Sequence, residues 1–220
     1  MRIVLFILAV LSVSFAHAQQ VATATDTASL QQPGQVERPD IKAGDSWTYS
    51  YHDANYGRQE SAYTIKTDRV DGDRILVSWV NAQVGTSGTF FYNLDVNLLG
   101  QSTDQPNLGW PNFHFPLAVG QVWHAKYHSY GPGTRDYDNI LTTTVASIED
   151  VTVPAGTYKA FKIVVVRDYA GTNNGSRVRG SVEETYWYSP EVKSYVKRVV
   201  IDRGVGPNPL TRELLAYHVN

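Results

Sequence analysis

The sequence predicts an all-β protein: an antiparallel meander of about 10–12 strands that forms a curved half-barrel, a barrel or a sandwich. In several segments apolar and polar residues alternate with a period of two. Turn-forming residues separate these segments, and no window beyond the first residues sustains the apolar spacing of a helix. The pattern does not distinguish the three architectures.

The alternation marks individual strands. Trp47, Tyr49 and Tyr51 alternate with small hydroxyl residues, which predicts a strand with one buried face. The same period runs from Phe90 to Leu98 and from Trp123 to Tyr127. We expect each of these to be a half-buried antiparallel strand.

Two turns have sequences typical of hairpins. Asp71-Gly72 stands between two β-rich runs and predicts a two-residue hairpin connection. In Pro154-Ala155-Gly156, proline presets the first turn position and glycine can supply a left-handed third. The second turn would bring Val153 and Thr157 close together across the hairpin.

The N-terminal residues predict export. Residues 1–18 combine a positive start, an apolar run and the Ala16-His17-Ala18 pattern that a signal peptidase cleaves, so we expect cleavage after Ala18. Residues 19–40 are rich in Gln, Thr, Ala and Ser and predict a flexible polar tether. Residues 41–220 then form a single β domain, and no later segment predicts a transmembrane span.

A weak internal repeat suggests two related half-sheets in this domain, residues 41–110 and 113–220. Gly44, Trp47 and Tyr51 have the same spacing as Gly120, Trp123 and Tyr127. The alternative is that a glycine followed by inward aromatic residues is common at the start of any strand.

Composition excludes several classes of function. The 220 residues contain no cysteine, so neither disulfides nor thiol catalysis are available. The net charge is −2 with both signs mixed along the chain, which does not favour nucleic acid as a partner. No phosphate loop, dinucleotide motif or zinc motif occurs, and we expect no cofactor and no metal.

Two histidines resemble a metal pair only superficially. His124 and His128 are four residues apart, and on a strand that spacing separates them by about 13 Å. A shared zinc ion needs both nitrogens within about 2.1 Å of it. The sequence therefore favours ordinary polar-face histidines.

Four carboxylates carry the alternative of an exported hydrolase or carbohydrate-active protein, for which no catalytic residue can be assigned. This alternative requires a cleft in which at least two of four carboxylates converge within about 5–10 Å: Asp136, Asp138, Glu183 and Glu184. Adjacent Glu183 and Glu184 point to opposite faces of a strand, so they cannot form the pair alone.

Aromatic residues in a predicted loop are the candidates for ligand binding. Trp110, Phe113 and Phe115 lie between the two half-sheets in a segment that could be a crossover, a rim or a lid. Aromatic side chains in loops contact apolar ligands or sugars. The alternative is that the three plug the core.

Three motifs resemble those of uncharacterised bacterial exported β-rich proteins: Phe115-Pro116-Leu117 with Gly120 and Trp123, the segment 153–157 (VPAGT), and 186–190 (YWYSP). Members of this group are similar in outline to periplasmic lipoprotein carriers, whose curved sheets hold acyl chains. The resemblance implies a curved β-sheet and assigns no site residue. Where related proteins have glycine after Ser-Pro-x-Val, this chain has Lys193, which argues against a tight turn there.

These observations predict an exported, non-enzymatic envelope protein, periplasmic or secreted. Its curved sheet would bind a lipid or other hydrophobic ligand, or an envelope protein partner.

Overall fold

The computed structural model describes residues 34–54, 58–100, 110–131, 135–204 and 208–220, and side chains are described within these ranges except at 58–60 and 131. The predicted signal peptide lies outside them. The described residues contain thirteen strands and no helix, so none of them belongs to a helix that could cross a membrane. The strands are β1 Gln35–Val36, β2 Ser46–Asp53, β3 Arg58–Asp71, β4 Arg74–Asn81, β5 Thr86–Asn93, β6 Leu98–Gly100, β7 Leu117–Ala118, β8 Val122–Gly131, β9 Arg135–Val153, β10 Gly156–Asn173, β11 Ser176–Ser189, β12 Ser194–Asp202 and β13 Leu210–His218.

Eleven strands form one antiparallel sheet in the order β6-β5-β4-β3-β2-β13-β12-β11-β10-β9-β8. The sheet is open, with β6 and β8 at its two edges, so the all-β antiparallel prediction is confirmed and a closed barrel is not formed. The first and last long strands meet in the middle, because β13 pairs with β2. A second sheet consists of β1 and β7 alone, which brings Gln35–Val36 at the end of the predicted tether against Leu117–Ala118.

The predicted alternation is present in β2 and β8. Trp47 and Tyr49 are buried on one face of β2. The prediction of one strand from Phe90 to Leu98 is wrong, because the chain reverses after Asn93 and β6 pairs back onto β5. Asn93 makes this turn: its side chain accepts a hydrogen bond from the Asn97 amide and its carbonyl accepts one from Val96, which has a φ of 54°.

The hairpin turns differ from the predicted ones by one residue. Asp71 pairs with Arg74, so the two-residue loop is Gly72-Asp73, and Gly72 has the positive φ of 59°. Val153 pairs with Gly156 instead of Thr157, which leaves Pro154-Ala155 as the loop. Both hairpins form where the sequence predicts them.

Lys193 does not prevent the tight turn between β11 and β12. It adopts a φ of 57°, which is uncommon for a residue with a side chain. Its Nζ lies 2.6 Å from the Asp40 carbonyl oxygen, 2.7 Å from the Asn220 carbonyl oxygen and 3.4 Å from the Asp45 carboxylate. These contacts stabilise the turn and join both ends of the described chain.

The internal repeat has a structural counterpart at the starts of β2 and β8. The Gly44 amide donates to the Thr67 carbonyl, and the Thr67 amide donates to the Asp45 carbonyl. The Gly120 amide donates to the Val145 carbonyl, and Val145 donates in turn to Gln121. Both glycines have positive φ, 95° and 87°. The same backbone corner therefore precedes both β2 and β8.

The segment between β6 and β8 connects the two edges of the large sheet. Its described part, residues 110–121, packs Phe113 and Phe115 against Tyr186 and Tyr188 of β11. This segment is therefore a crossover over one face of the sheet. We refer to residues 110–116 below as the crossover.

Candidate functional site

A large cavity lies on the face of the sheet that the crossover covers. Its volume is about 1000 Å³, at the upper end of the roughly 300–1,000 Å³ range of small-molecule sites. Residues of eight neighbouring strands, β2 to β6 and β11 to β13, line it. Eight strands spaced by about 4.8 Å span more than 30 Å if flat, so the sheet must curve to enclose one cavity.

The wall of the cavity is mainly apolar and aromatic. Every second residue of β2, β3 and β4 faces it, because side chains alternate between the two faces of a strand. Tyr49 and Tyr195 stack with ring centroids 4.6 Å apart, and Trp79 stacks on Phe90 at 6.1 Å. The aromatic residues in the wall are Trp47, Tyr49, Tyr51, Tyr63, Trp79, Phe90, Tyr92, Trp110, Phe113, Tyr186, Tyr188 and Tyr195.

The hydroxyl groups of Tyr49, Tyr63 and Tyr195 have hydrogen-bond partners within the protein. Tyr49 Oη lies 2.9 Å from both the Ser194 hydroxyl and the Tyr195 carbonyl oxygen. The hydroxyls of Tyr63 and Tyr195 are 3.2 Å apart. Burial raises the pKa of Tyr92 to about 12 and also raises the pKa of Tyr49 and Tyr63. These three phenols are therefore neutral at physiological pH.

A buried ion pair lies at the β11–β12 side of the cavity. Arg198 donates to Glu184 at 2.6 Å, and the Tyr186 hydroxyl donates to the same carboxylate oxygen at 2.6 Å. Burial raises the pKa of Glu184, but Arg198 and the Tyr186 hydrogen bond outweigh it and hold the pKa below its usual value. Glu184 is therefore ionised and occupied by its partners.

Arg212 lies next to this pair on the same face. It is directly opposite Arg198 on one side and Tyr51 on the other. Its guanidinium carbon is 5.6 Å from the Tyr51 ring centroid and 5.3 Å from that of Tyr63. Among the described side chains, no carboxylate forms a salt bridge with Arg212, whereas Arg198 has Glu184.

The structure separates the three predicted ligand-binding residues. Trp110 and Phe113 line the cavity, with the Arg167 guanidinium 5.6 Å from the Trp110 ring centroid. Phe115 does not line it: its ring packs edge-on against Tyr188 at 5.3 Å, in the core beneath the crossover. Phe113 belongs to both regions, since it also packs against Tyr186 at 5.2 Å.

Asn97 fastens the crossover to the sheet edge. Its amide nitrogen donates to the Phe113 carbonyl at 2.8 Å, and its amide oxygen accepts from the Phe113 amide at 2.8 Å. Asn112 adds a hydrogen bond to the Tyr186 hydroxyl at 2.9 Å. These three buried contacts position Trp110 and Phe113 over the cavity.

The four carboxylates of the hydrolase alternative do not meet in this cavity. Asp138 pairs with Ala170 of β10 and Glu184 pairs with Val165 of the same strand. Five residues along a strand correspond to about 17 Å. None of the four residues lines the cavity. Asp136 and Asp138 do come together, but around His128 with their side chains exposed to solvent.

The histidines occupy the exposed face of β8. His124 Nδ1 lies 3.0 Å from the Thr142 hydroxyl, and His128 contacts Asp136 and Asp138, each at 2.9 Å. Hydrogen bonding to Asp138 raises the pKa of His128. Among the described residues, no group of three His, Asp or Glu side chains could hold a metal ion.

Sequence reasoning did not identify the cluster of Glu184, Arg198 and Arg212 on one face of the sheet. They are far apart along the chain, and only the register of β11, β12 and β13 brings them to one face. The alternation of β13 could have indicated that Arg212 faces inward, because residues 212 and 214 share one face of the strand and Leu214 is apolar.

An open, curved antiparallel sheet around a cavity with an aromatic wall defines the class of fold. No protein-family model matches the chain, and no curated protein matches it. Among solved structures, the chain is similar to a protein from Parabacteroides distasonis ATCC 8503 provisionally described as a lipoprotein. The two are 17% identical with a TM-score of 0.54, over 83% of this chain and 99% of that one. That likeness shows a shared fold.

Two further solved structures are similar at lower scores. One is from Bacteroides fragilis NCTC 9343 and is provisionally described as an exported protein with a YmcC-like fold; it is 13% identical with a TM-score of 0.47 over 84% of this chain and 99% of that one. The other is the hypothetical lipoprotein YmcC from Escherichia coli, 15% identical with a TM-score of 0.40 over 90% of this chain and 98% of that one.

Proposed function

We propose that this protein is an exported, non-enzymatic envelope protein that binds a hydrophobic ligand on the inner face of its curved sheet. The observation that carries this proposal is the cavity of about 1000 Å³ whose wall is mainly aromatic and aliphatic. Apolar surface of this kind favours an apolar occupant because covering it removes it from water. The N-terminal sequence pattern supports export to the periplasm or beyond.

The charged groups of the site support binding over catalysis. Glu184 is held by Arg198 and by the Tyr186 hydroxyl, both at 2.6 Å. A general acid or base must exchange a proton with a substrate, and its pKa is best placed near the working pH. Glu184 instead has a lowered pKa and two donors that already use one of its oxygens. It is suited to neutralise Arg198.

The test blocks the cavity from the sheet side. Ser61 lines the cavity and Ala62, its neighbour, points to the opposite face of β3. We expect Ser61→Trp to weaken binding of the uncharged fluorescent probe N-phenyl-1-naphthylamine by about tenfold or more, because the indole occupies the space of the ligand. Ala62→Trp adds the same side chain outside the cavity and serves as the matched control.

Fluorescence titration of the wild type and the two variants decides the proposal. Binding that survives in Ala62→Trp and is lost in Ser61→Trp supports a ligand in the cavity. A wild-type protein that takes up neither this probe nor any lipid from an envelope extract would contradict it and direct attention to a protein partner.

A further inference from the structure

The charges around the cavity do not balance. The described cations that line it are Lys193, Arg198 and Arg212, and none of its lining residues is Asp or Glu. Two of these cations form salt bridges with carboxylates that do not line the cavity. Lys193 lies 3.4 Å from Asp45, and Arg198 lies 2.6 Å from Glu184. Arg212 is the lining cation for which the described side chains provide no carboxylate.

The position of Arg212 makes this imbalance costly. It lies directly opposite Arg198 across β12 and β13, and like charges directly opposite each other destabilise a sheet. The rings of Tyr51 and Tyr63 offer cation–π contacts at 5.6 Å and 5.3 Å, but they bring no negative charge.

Both guanidinium groups also have a donor left over. The Nε atoms of Arg198 and Arg212 are buried, and neither has a hydrogen-bond partner among the described atoms. Buried donors are almost always paired in folded proteins, so these two unpaired atoms mark guanidinium groups whose hydrogen-bonding capacity is not used up within the described protein. A carboxylate or phosphate group supplies several acceptor oxygens together with the missing charge.

We propose that the ligand of this cavity is an anionic amphiphile. Its acidic headgroup lies on Arg212, and its apolar chain runs along the wall formed by Ile75, Val77, Phe90 and Tyr92. This inference rests on the function proposed above and narrows it, since an uncharged apolar ligand would leave Arg212 without an anion.

The experiment compares ligands that differ only in the headgroup. Dodecanoate, dodecyl phosphate and dodecanol are used to displace N-phenyl-1-naphthylamine from the wild type. We expect both anions to bind about 10- to 100-fold more tightly than dodecanol, the range that a hydrogen-bonded ion pair contributes. The anion that binds more tightly identifies the headgroup as carboxylate or phosphate.

Two variants test the role of Arg212. Arg212→Gln removes the charge, and we expect it to abolish the preference for the anions, measured as the ratio of anion affinity to dodecanol affinity in the same variant. Arg212→Lys retains the charge and is expected to keep part of the preference. Arg69→Gln removes one charge from an exposed position of β3 and is the matched control, with no expected effect.

Failure of this inference differs from failure of the proposed function. Equal binding of dodecanoate and dodecanol by the wild type would overturn the anionic headgroup and keep the hydrophobic site. An equal loss of preference in Arg69→Gln and Arg212→Gln would overturn it as well, because a general charge effect would then explain the data. If the probe and all three ligands fail to bind, the proposed function itself fails.

Discussion

At the scale of single residues, one buried ion pair, Glu184 with Arg198, lies beside the cavity. The Glu184 side chain is 3% exposed and that of Arg198 is 12% exposed, so neither charge is solvated. A buried pair of this kind adds little net stability, but breaking it leaves a buried charge without a partner. Glu184 is thus needed for Arg198 to remain beside an apolar cavity.

Glu184→Gln should lower the free energy of unfolding by about 3–5 kcal/mol, because the amide cannot neutralise Arg198. Urea unfolding followed by circular dichroism measures the change. Glu183→Gln on the opposite face of β11 is the control and should stay within about 0.5 kcal/mol of the wild type. Equal effects of the two variants would show that the ion pair does not stabilise the fold.

The same variant makes a prediction about pH. The folded-state pKa of Glu184 lies below its usual value of 4.5, so the ionised carboxylate stabilises the fold above that pH. This contribution is lost as the pH falls through the lowered folded-state pKa. The difference in unfolding free energy between wild type and Glu184→Gln should therefore stay constant from neutral pH down to about pH 5 and shrink as the pH falls below 4.5. A difference independent of pH would contradict this assignment.

At the scale of elements, the position of the crossover depends on a single side chain, that of Asn97. Asn97 pairs with both backbone groups of Phe113 in the way that a neighbouring strand would. Because Trp110 and Phe113 line the cavity, their positions depend on this contact. The crossover thereby links the sheet edge to the cavity wall.

We expect Asn97→Ala to lower the free energy of unfolding by about 2–4 kcal/mol, since two buried backbone groups lose their partners. Hydrogen exchange of the Phe113 amide should increase in parallel. Thr89→Ala, on an exposed position of β5, is the control and should change neither quantity. An unchanged exchange rate in Asn97→Ala would show that the crossover is held by its aromatic packing alone.

The sequence predicts elements better than contacts between them. Alternation identified β2 and β8, and glycine at turn positions located two hairpins to within one residue. It failed at Phe90–Leu98, because an alternating pattern continues through a turn made by the side chain of Asn93. Lys193 likewise occupies a glycine conformation only because distant groups bind its amine.

The candidate site was predictable only in part for the same reason. Loop aromatics indicated Trp110 and Phe113, both of which line the cavity. Phe115 is also an aromatic residue of the predicted loop, but it packs in the core beneath the crossover and does not line the cavity. Arg212 pairs with Tyr51 because β13 lies beside β2 in the sheet. These strands are far apart in sequence, so no local pattern predicts the pairing.

At the scale of the whole molecule, the open sheet explains how so large a cavity coexists with a stable fold. The central strands β2 and β13 bring Tyr49 and Leu214 together in the core at the base of the cavity, with exposed fractions of 1% and 0%. A second apolar cluster beneath the crossover includes Leu117, Leu141 and Ile163, which are also fully buried. The two apolar clusters both pack against Val96 and Tyr195, which line the cavity.

The central claim is that this surface holds an apolar ligand, and native mass spectrometry of the protein purified from its own compartment tests it most directly. We predict a one-to-one adduct whose extracted component is an amphiphile, and we predict that the Ser61→Trp variant lacks it. A wild-type spectrum with only the mass of the bare chain, from protein that also fails to take up lipid when it is offered, would contradict the claim.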